Sequence, residues 1–149
     1  MSTSHVQIVM ASHVNGIHRL FGGQLMSWID VVAAVEAKRH AKSGVTLLTV
    51  DHLTFLSPVF MDETVALEAK LTWTGHTSME IKVDTFVEKL DGTKTLVNSA
   101  YLVFVAIDND GNTVQVPAFV PQTQEEKAEF ASAVKRKAAR IKAQALLSF

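Results

Sequence analysis

The stretch from Gly22 to Ala37 most constrains the fold of this chain, because apolar residues lie on nearly every side of it. From Leu25 onward it contains helix-forming residues and no proline. A helix that is apolar all round is typically surrounded by protein rather than exposed on a surface. We therefore predict a long, almost wholly buried helix with the rest of the chain packed around it.

Asp30 is the exception within this predicted helix. An ionised carboxylate is costly to bury without partners, so an aspartate at this position needs a reason. It could be a catalytic or substrate-orienting acid, or it could pair with a neighbouring loop and only fix packing; the helix alone favours neither interpretation. At 3.6 residues per turn, Asp30 shares one side of the helix with small residues, and bulky apolar residues form the opposite side. The small-residue stripe comprises Gly23, Ser27, Asp30, Ala34 and Ala37.

Length and composition predict one soluble domain over residues 1–149. The chain has 14 basic and 15 acidic residues, and a net charge of −1 provides no general attraction to nucleic acid or to an anionic membrane. Because there is no cysteine, disulfides, thiolate nucleophiles and sulfur-ligated zinc are excluded, which is consistent with the cytoplasm. No basic signal-peptide region opens the chain, and no apolar run approaches the ~18 residues that span a bilayer. We expect a cytoplasmic protein with neither a nucleic-acid nor a membrane partner.

Five segments have the apolar patterns of β-strands. Two of them, Val45–Leu56 and Lys94–Ile107, are apolar on both faces, and we predict that the first is buried on both sides. The others alternate between apolar and polar residues, which indicates one wet face. The predicted strands are a first one that ends near Ala11, followed by 45–56, 65–73, 79–88 and 94–107.

A second, amphipathic helix is predicted at about residues 123–147. Thr123 and Glu126 have the spacing of a capping box, and a narrow apolar stripe follows them. Acidic residues come first and basic residues later, which suits the helix dipole. We interpret the basic residues as a solvated face in preference to a phosphate-binding site.

The motifs of several enzyme classes are absent. None of the six histidines are paired at the helical i, i+4 spacing of a zinc site, and no serine-hydrolase, dinucleotide or P-loop motif occurs. We therefore expect no metal and no cofactor. Asn15, Gly23 and Asp30 remain as an amide, a backbone donor and a carboxylate, which together could position and deprotonate a water and stabilise an oxyanion.

The segment Asn15–Asp30 resembles a family signature. Its Asn, followed by Phe-Gly-Gly and then by Met and Asp, is similar to the pattern of hot-dog acyl-CoA thioesterases, the group of the short bacterial acyl-CoA thioester hydrolases and brain acyl-CoA hydrolase. The segments Thr54–Val59, Thr77–Ile81 and Val116–Glu126 resemble three further parts of that family. The resemblance covers most of the chain, and it implies an α+β hot-dog fold in which a five-stranded antiparallel sheet wraps around the central helix.

The resemblance also implies an activity, which is metal-independent hydrolysis of a fatty acyl-CoA to free acid and CoA. Asp30 would be the general base for water or the nucleophile, and Asn15 would act with it from the other subunit of a dimer. The backbone at Gly23 would lie by the thioester carbonyl. Self-association as a dimer, with further assembly to a trimer of dimers, is implied as well. The implied contacts to substrate and CoA are Gly22, Thr54, Ser78 and Met79.

One departure from the family concerns the loop before the helix. The family commonly has a glycine three residues after the asparagine, whereas this chain has His18 there and Gly16 earlier. Two other functions stay open, namely a non-catalytic acyl-CoA-binding module and a hot-dog hydratase. The hydratase is disfavoured because its His-Asp pairing is not visible on the helix.

Overall fold

The computed structural model describes residues 2–147 of the chain. These residues form five strands and two α-helices in the predicted order, and a short 3-10 turn at Ala11–His13 precedes the first helix. No helix among these residues is long and apolar enough to cross a membrane. The elements are β1 Ser2–Ile8, α1 Gly22–Ala41, β2 Gly44–Phe55, β3 Thr64–Thr74, β4 Ser78–Glu88, β5 Lys94–Ile107 and α2 Gln124–Leu147.

The strands form one antiparallel sheet in the order β1-β3-β4-β5-β2, which confirms the predicted architecture. The first strand lies earlier than predicted, because β1 pairs with β3 from Ser2 to Ile8. Beyond it, the backbone of Val9 exchanges hydrogen bonds with Glu63 and Asp62, so pairing continues in irregular form.

Helix α1 packs across one face of this sheet, here called the inner face. Burial of a large apolar side chain stabilises the fold by roughly 1.5–3 kcal/mol, so this layer is the main source of stability. The core includes Leu25, Ile29, Val32 and Ala33 of α1 with Leu67, Ile81, Leu102 and Phe104 of the sheet.

The prediction of an almost wholly buried helix is wrong for the single chain. Val31 is 62% exposed, and Gly23 and Ser27 are also exposed, because the sheet covers only one side of α1. The predicted small-residue stripe is exposed at its start, at Gly23 and Ser27, and fully buried at its end, at Ala37. The helix ends as predicted near Lys42, which adopts a left-handed φ of 57° and donates its N–H to the Lys38 carbonyl.

The prediction that residues 45–56 are buried on both sides is also wrong for the single chain. Strand β2 is an edge strand that pairs only with β5, and Leu48 and Phe55 are 58% and 51% exposed. Its register with β5 shifts twice, between Leu47 and Thr49 and between Asp51 and Thr54. An exposed apolar edge of this kind is a surface that another chain can pair with.

Helix α2 packs on the opposite, outer face through charged groups. Arg136 donates two hydrogen bonds to the buried carboxylate of Glu80, at 3.0 and 2.7 Å, and its guanidinium lies 3.7 Å from the Tyr101 ring centroid. Arg140 donates to Asp51 at 2.8 Å. The interpretation of the basic residues as a solvated face is therefore wrong for these two arginines, which hold α2 to the sheet.

The N-terminus of α2 has the predicted capping box. Thr123 Oγ1 accepts the Glu126 N–H at 3.0 Å, and Glu126 Oε1 accepts the Thr123 N–H at 3.1 Å. The hydrogen bond from the Thr123 backbone lowers the pKa of Glu126. The capping box fixes where α2 begins, and hence where Arg136 meets the sheet three turns later.

We expect Arg136→Met to lower the free energy of unfolding by about 3 kcal/mol, because it leaves the Glu80 carboxylate buried without a counter-charge. Urea denaturation followed by circular dichroism measures this change. The control is Lys135→Met on the exposed neighbour, which should change stability by no more than about 0.5 kcal/mol. Equal losses in the two variants would contradict the role given to the Arg136–Glu80 pair.

Candidate active site

The loop before α1 is shaped by Asn15. Its side-chain Oδ1 accepts the N–H groups of Ile17 and Arg19 at 3.1 and 3.2 Å, and its own N–H donates to the Arg19 carbonyl at 2.8 Å. An asparagine side chain that bonds the backbone two residues on is typical of a tight Asx-turn. The residue itself is exposed, so the amide lies at the surface of the single chain.

His18 occupies the position where the family commonly has glycine. Its φ is +62°, in the left-handed region that glycine adopts without strain and that other residues adopt at a cost. The backbone at this position therefore has a conformation that suits glycine, although this chain has histidine there. The departure in sequence alters the strain of the loop without preventing the Asn15 turn.

The first residues of α1 bring backbone donors to the end of this loop. The amides of Gln24 and Leu25 both donate to the Phe21 carbonyl. The amides of Gly22 and Gly23 belong to the first turn, whose N–H groups have no partner within the helix. A Cβ on Gly23 would lie 2.7 Å from Cε1 of Phe21, so only glycine fits beneath that ring without its movement.

Asp30 lies on the flank of α1 that faces the β2 edge. Trp28, two residues earlier, is on the opposite flank, because two residues turn a helix by about 200°. The Trp28 ring packs edge-on against His13 at 4.9 Å and lies near His5 of β1. Asp30 is half-buried, and no hydrogen bond or ion pair to its carboxylate occurs within residues 2–147. The interpretation of Asp30 as a packing acid paired to a loop therefore has no contact to support it in the single chain.

Glu36, one and a half turns later on α1, is a second acid that the sequence analysis did not single out. It is only 2% exposed, and its carboxylate accepts hydrogen bonds from Thr3 Oγ1 at 2.8 Å and the Leu71 N–H at 3.3 Å. This carboxylate has the structural role that Asp30 lacks, since it accepts the Leu71 N–H of β3 one residue beyond the point where β1 begins opposite Lys70. Glu36 could have been found from the sequence as a charged residue on the otherwise bulky, apolar side of α1.

A cleft of about 500 Å³ lies between the Asn15 loop, the start of α1 and the end of β2. Asn15, Arg19, Gly22 and Ser57 provide its polar lining. Apolar side chains form the rest, including Leu20, Leu25, Phe55, Leu56, Pro58 and Val59. Asp30 is eight residues beyond Gly22, or about 12 Å along the helix, and does not line this cleft. The single chain thus groups Asn15 and Gly22 but leaves Asp30 apart.

The other predicted contacts are dispersed. Thr54 is exposed on β2 beside the cleft. Ser78 begins β4 level with Val105, whereas Thr54 is level with Ser99, so the two are separated by about 20 Å along the sheet. The side chain of Met79 is fully buried in the core of the single chain, and its predicted role in binding substrate or CoA stays a prediction. Its alternation placed it on the inner face, where α1 covers it.

Comparison with known proteins identifies the family. A family model of the thioesterase superfamily matches residues 18–93. The chain belongs to the thioesterase superfamily. An uncharacterized acyl-CoA thioester hydrolase of Bacillus subtilis is 40% identical over 123 residues, which cover 82% of this chain and 72% of that protein. Mouse acyl-coenzyme A thioesterase 11 is 28% identical over 96% of this chain, and the match spans 24% of the mouse protein.

Solved structures of similar thioesterases confirm the predicted hot-dog fold. An apo-hexameric acyl-CoA thioesterase is 36% identical with a TM-score of 0.92, over 97% of this chain and 94% of the other. An acyl-CoA hydrolase from Staphylococcus aureus, solved with butyryl-CoA, CoA and CoA disulfide, is 30% identical with a TM-score of 0.88. That match covers 98% of this chain and 92% of the other.

Three mutants of the S. aureus enzyme have also been solved, with an asparagine, an aspartate or a threonine changed to alanine. The asparagine and the aspartate are 15 positions apart in that chain, as Asn15 and Asp30 are here. The threonine follows the aspartate by 17 positions, and the same count from Asp30 reaches Leu47. The two chains thus share the spacing between the asparagine and the aspartate. The threonine is not shared at the same spacing, because this chain has Leu47 there.

We expect His18→Gly to raise the free energy of unfolding by roughly 0.5–1 kcal/mol, because glycine relieves the left-handed strain at this position. Thermal and urea denaturation measure the change. The control is His76→Gly, an exposed loop histidine without a positive φ, where glycine only adds freedom to the unfolded chain and should destabilise. A loss of stability in both variants would mean that the Asn15 loop is not strained.

Proposed function

We propose that this chain is an acyl-CoA thioester hydrolase that converts a fatty acyl-CoA to the free acid and CoA without a metal ion or a cofactor. The observation that carries the proposal is the half-buried, unpaired carboxylate of Asp30 on the helix that begins with Gly22-Gly23. Its 15-residue distance from Asn15 repeats the asparagine–aspartate spacing of the S. aureus mutants. The names of the relatives support the same reaction.

The reaction requires a water to attack the thioester carbonyl carbon. Asp30 would accept a proton from this water as general base. In the alternative route the Asp30 carboxylate would attack the carbonyl carbon in place of water and displace CoA, and water would then hydrolyse the resulting mixed anhydride to release the acid. The amide N–H of Gly23 would donate to the carbonyl oxygen as negative charge develops on it, and the side chain of Asn15 would orient the water. The carbon–sulfur bond then breaks, and CoA leaves as a thiolate that takes up a proton.

A complete site would use two copies of the chain. Asp30 lies on the flank of α1 that faces β2, and β2 is an exposed apolar edge. We propose that two chains pair at this edge, so that Asn15 of one copy approaches Asp30 of the other. Solved neighbours that are hexameric support further assembly into a trimer of dimers.

Contacts to substrate or CoA by Gly22, Thr54, Ser78 and Met79 are proposed on the basis of the family resemblance. Gly22 and Thr54 lie at and beside the cleft, whereas Ser78 is remote within one chain and would contact a site formed with another copy. We also propose a cytoplasmic location, which the cysteine-free composition supports.

We expect Asp30→Asn to lower kcat by ~10²-fold or more, because the amide has nearly the same shape but cannot accept the proton. Release of CoA thiol from a panel of acyl-CoAs measures the rate, and Asp110→Asn, on an exposed turn, is the matched control. A kcat near the wild-type value would exclude a catalytic role for Asp30. A wild-type protein that binds acyl-CoA but releases no thiol would instead be a binding module.

Mixing inactive Asn15→Ala protein with inactive Asp30→Asn protein should restore about a quarter of wild-type activity. After random subunit exchange about half of the dimers contain one chain of each kind, and each of these has one intact site out of two. Thiol release measured before and after exchange tests the expectation.

Three controls make this experiment decisive. Each variant alone must be nearly inactive, and exchange must be shown with differently labelled chains. Sedimentation must also show an oligomer, since a monomer at micromolar concentration would refute the shared site. If exchange occurs and no activity returns, Asn15 and Asp30 serve the same chain's site.

A further inference from the structure

Asn98 of β5 is a fully buried amide on the mostly apolar inner face of the sheet. It is 0% exposed, and its Nδ2 donates to the Thr54 carbonyl of β2 at 2.8 Å. Its Oδ1 is buried and accepts no hydrogen bond within the described part of the chain. A buried amide with an unpaired acceptor costs roughly 1–3 kcal/mol relative to a satisfied one, so the hydrogen bond to Thr54 is its one evident contribution.

The Asn98–Thr54 hydrogen bond joins two irregular points of the sheet. The β2–β5 register shifts between Asp51 and Thr54, where His52 adopts a left-handed φ of 54°. The β4–β5 register shifts next to Asn98, which leaves Val97 as the extra residue. Bulges of this kind bend a strand, and specific hydrogen bonds fix the direction of the bent strand.

A second bond holds the same end of β2. The Leu56 N–H donates to the carbonyl of the bulged Val97 at 2.8 Å, just after the last regular β2–β5 pair. Together, the Asn98 side chain and the Val97 carbonyl determine the path of residues 54–56 as they leave the sheet. The direction of this exit is therefore set by β5.

Residues 55 and 56 are also part of the cleft. Cζ of Phe55 lies 3.7 Å from the position that a Cβ on Gly22 would occupy, and both Phe55 and Leu56 line the cleft with Asn15. Phe55 is 51% exposed, so little else in the single chain holds its ring. A displacement of the β2 exit would move this apolar wall relative to the start of α1.

We infer that Asn98 is a positioning residue that, through Thr54, holds the Phe55–Leu56 wall of the cleft against the start of α1 for the acyl group of the substrate. The inference rests on the proposed function, because it assigns the cleft to the acyl-CoA. It predicts that loss of the amide weakens substrate binding more than it slows the chemical step.

Thr85 offers a matched control in the same layer. It is the direct cross-strand partner of Asn98 on β4, is 0% exposed, and has a buried Oγ1 with no partner within residues 2–147. Thr85 has the same depth as Asn98 but makes no side-chain bond to β2. Its replacement removes a buried polar group without touching the exit of β2.

The test compares Asn98→Val and Asn98→Ala with Thr85→Val and Thr85→Ala. Because one Asn98 variant overfills the site and the other underfills it, an effect common to both comes from the lost amide. Hydrogen exchange by mass spectrometry over residues 53–59 measures how firmly the backbone at the end of β2 is held in place. Steady-state thiol release from acyl-CoAs gives KM and kcat.

We expect both Asn98 variants to raise exchange in residues 53–59 by roughly 3- to 10-fold and KM by a similar factor, with kcat changed less than about 2-fold. The Thr85 variants should change neither exchange in this segment nor KM. A general loss of stability would instead raise exchange in β3 and β4 as well and leave KM unaltered.

Unchanged exchange in residues 53–59, unchanged KM, or equal effects in the Thr85 variants would each overturn the inference. Failure of the proposed function is distinguishable from these results. If the wild-type protein releases no thiol from any acyl-CoA, the assignment of the cleft to the acyl group fails with it. The exchange measurement still decides separately whether Asn98 holds the β2 exit.

Discussion

The burial of one face of α1 against a five-stranded antiparallel sheet is the interaction on which the rest of the structure depends. A single long helix needs an extended apolar surface to cover its inner side, and the sheet provides it with residues from all its central strands. The outer side of the helix is left uncovered, with Val31 at 62% exposure. The proposed pairing of two chains depends on that imbalance, because the uncovered flank includes Asp30 and adjoins an apolar edge strand.

The two faces of the sheet are held by different chemistry. The inner face is mostly apolar, whereas α2 is attached to the outer face by arginine–carboxylate pairs, above all Arg136 with Glu80. Burial alone lowers the pKa of Arg136, but the hydrogen bonds and charge of Glu80 outweigh it, so the net pKa is raised and the guanidinium stays charged. Such pairs give α2 a defined position, since a shift of one residue would leave a buried charge unpaired.

Two segments at the candidate site contain a residue with a left-handed backbone conformation, and each is held by a neighbouring helix or strand. His18 adopts a left-handed conformation in the Asn15 loop, and His52 does so before the end of β2. Helix α1 follows the Asn15 loop directly, and strand β5 holds the end of β2 through the Asn98–Thr54 hydrogen bond. The candidate polar groups thus come from both a loop, with Asn15, and a helix, with Gly23 and Asp30.

The sequence by itself determined the order of elements, the bounds of β5, the capping box of α2 and the pairing of Asn15 with Gly22-Gly23 and Asp30 as candidates. These depend on short-range periodicity, turn chemistry and a family signature, all of which are local. Only the tertiary structure decided that α1 and β2 are half exposed and that Met79 is buried. It also decided that Glu36 accepts a hydrogen bond from β3 and that Asn98 donates one to β2, since these partners are distant in the sequence. The reason is physical: an apolar residue gains free energy by leaving water in any direction, so its pattern does not say whether the covering surface belongs to the same chain.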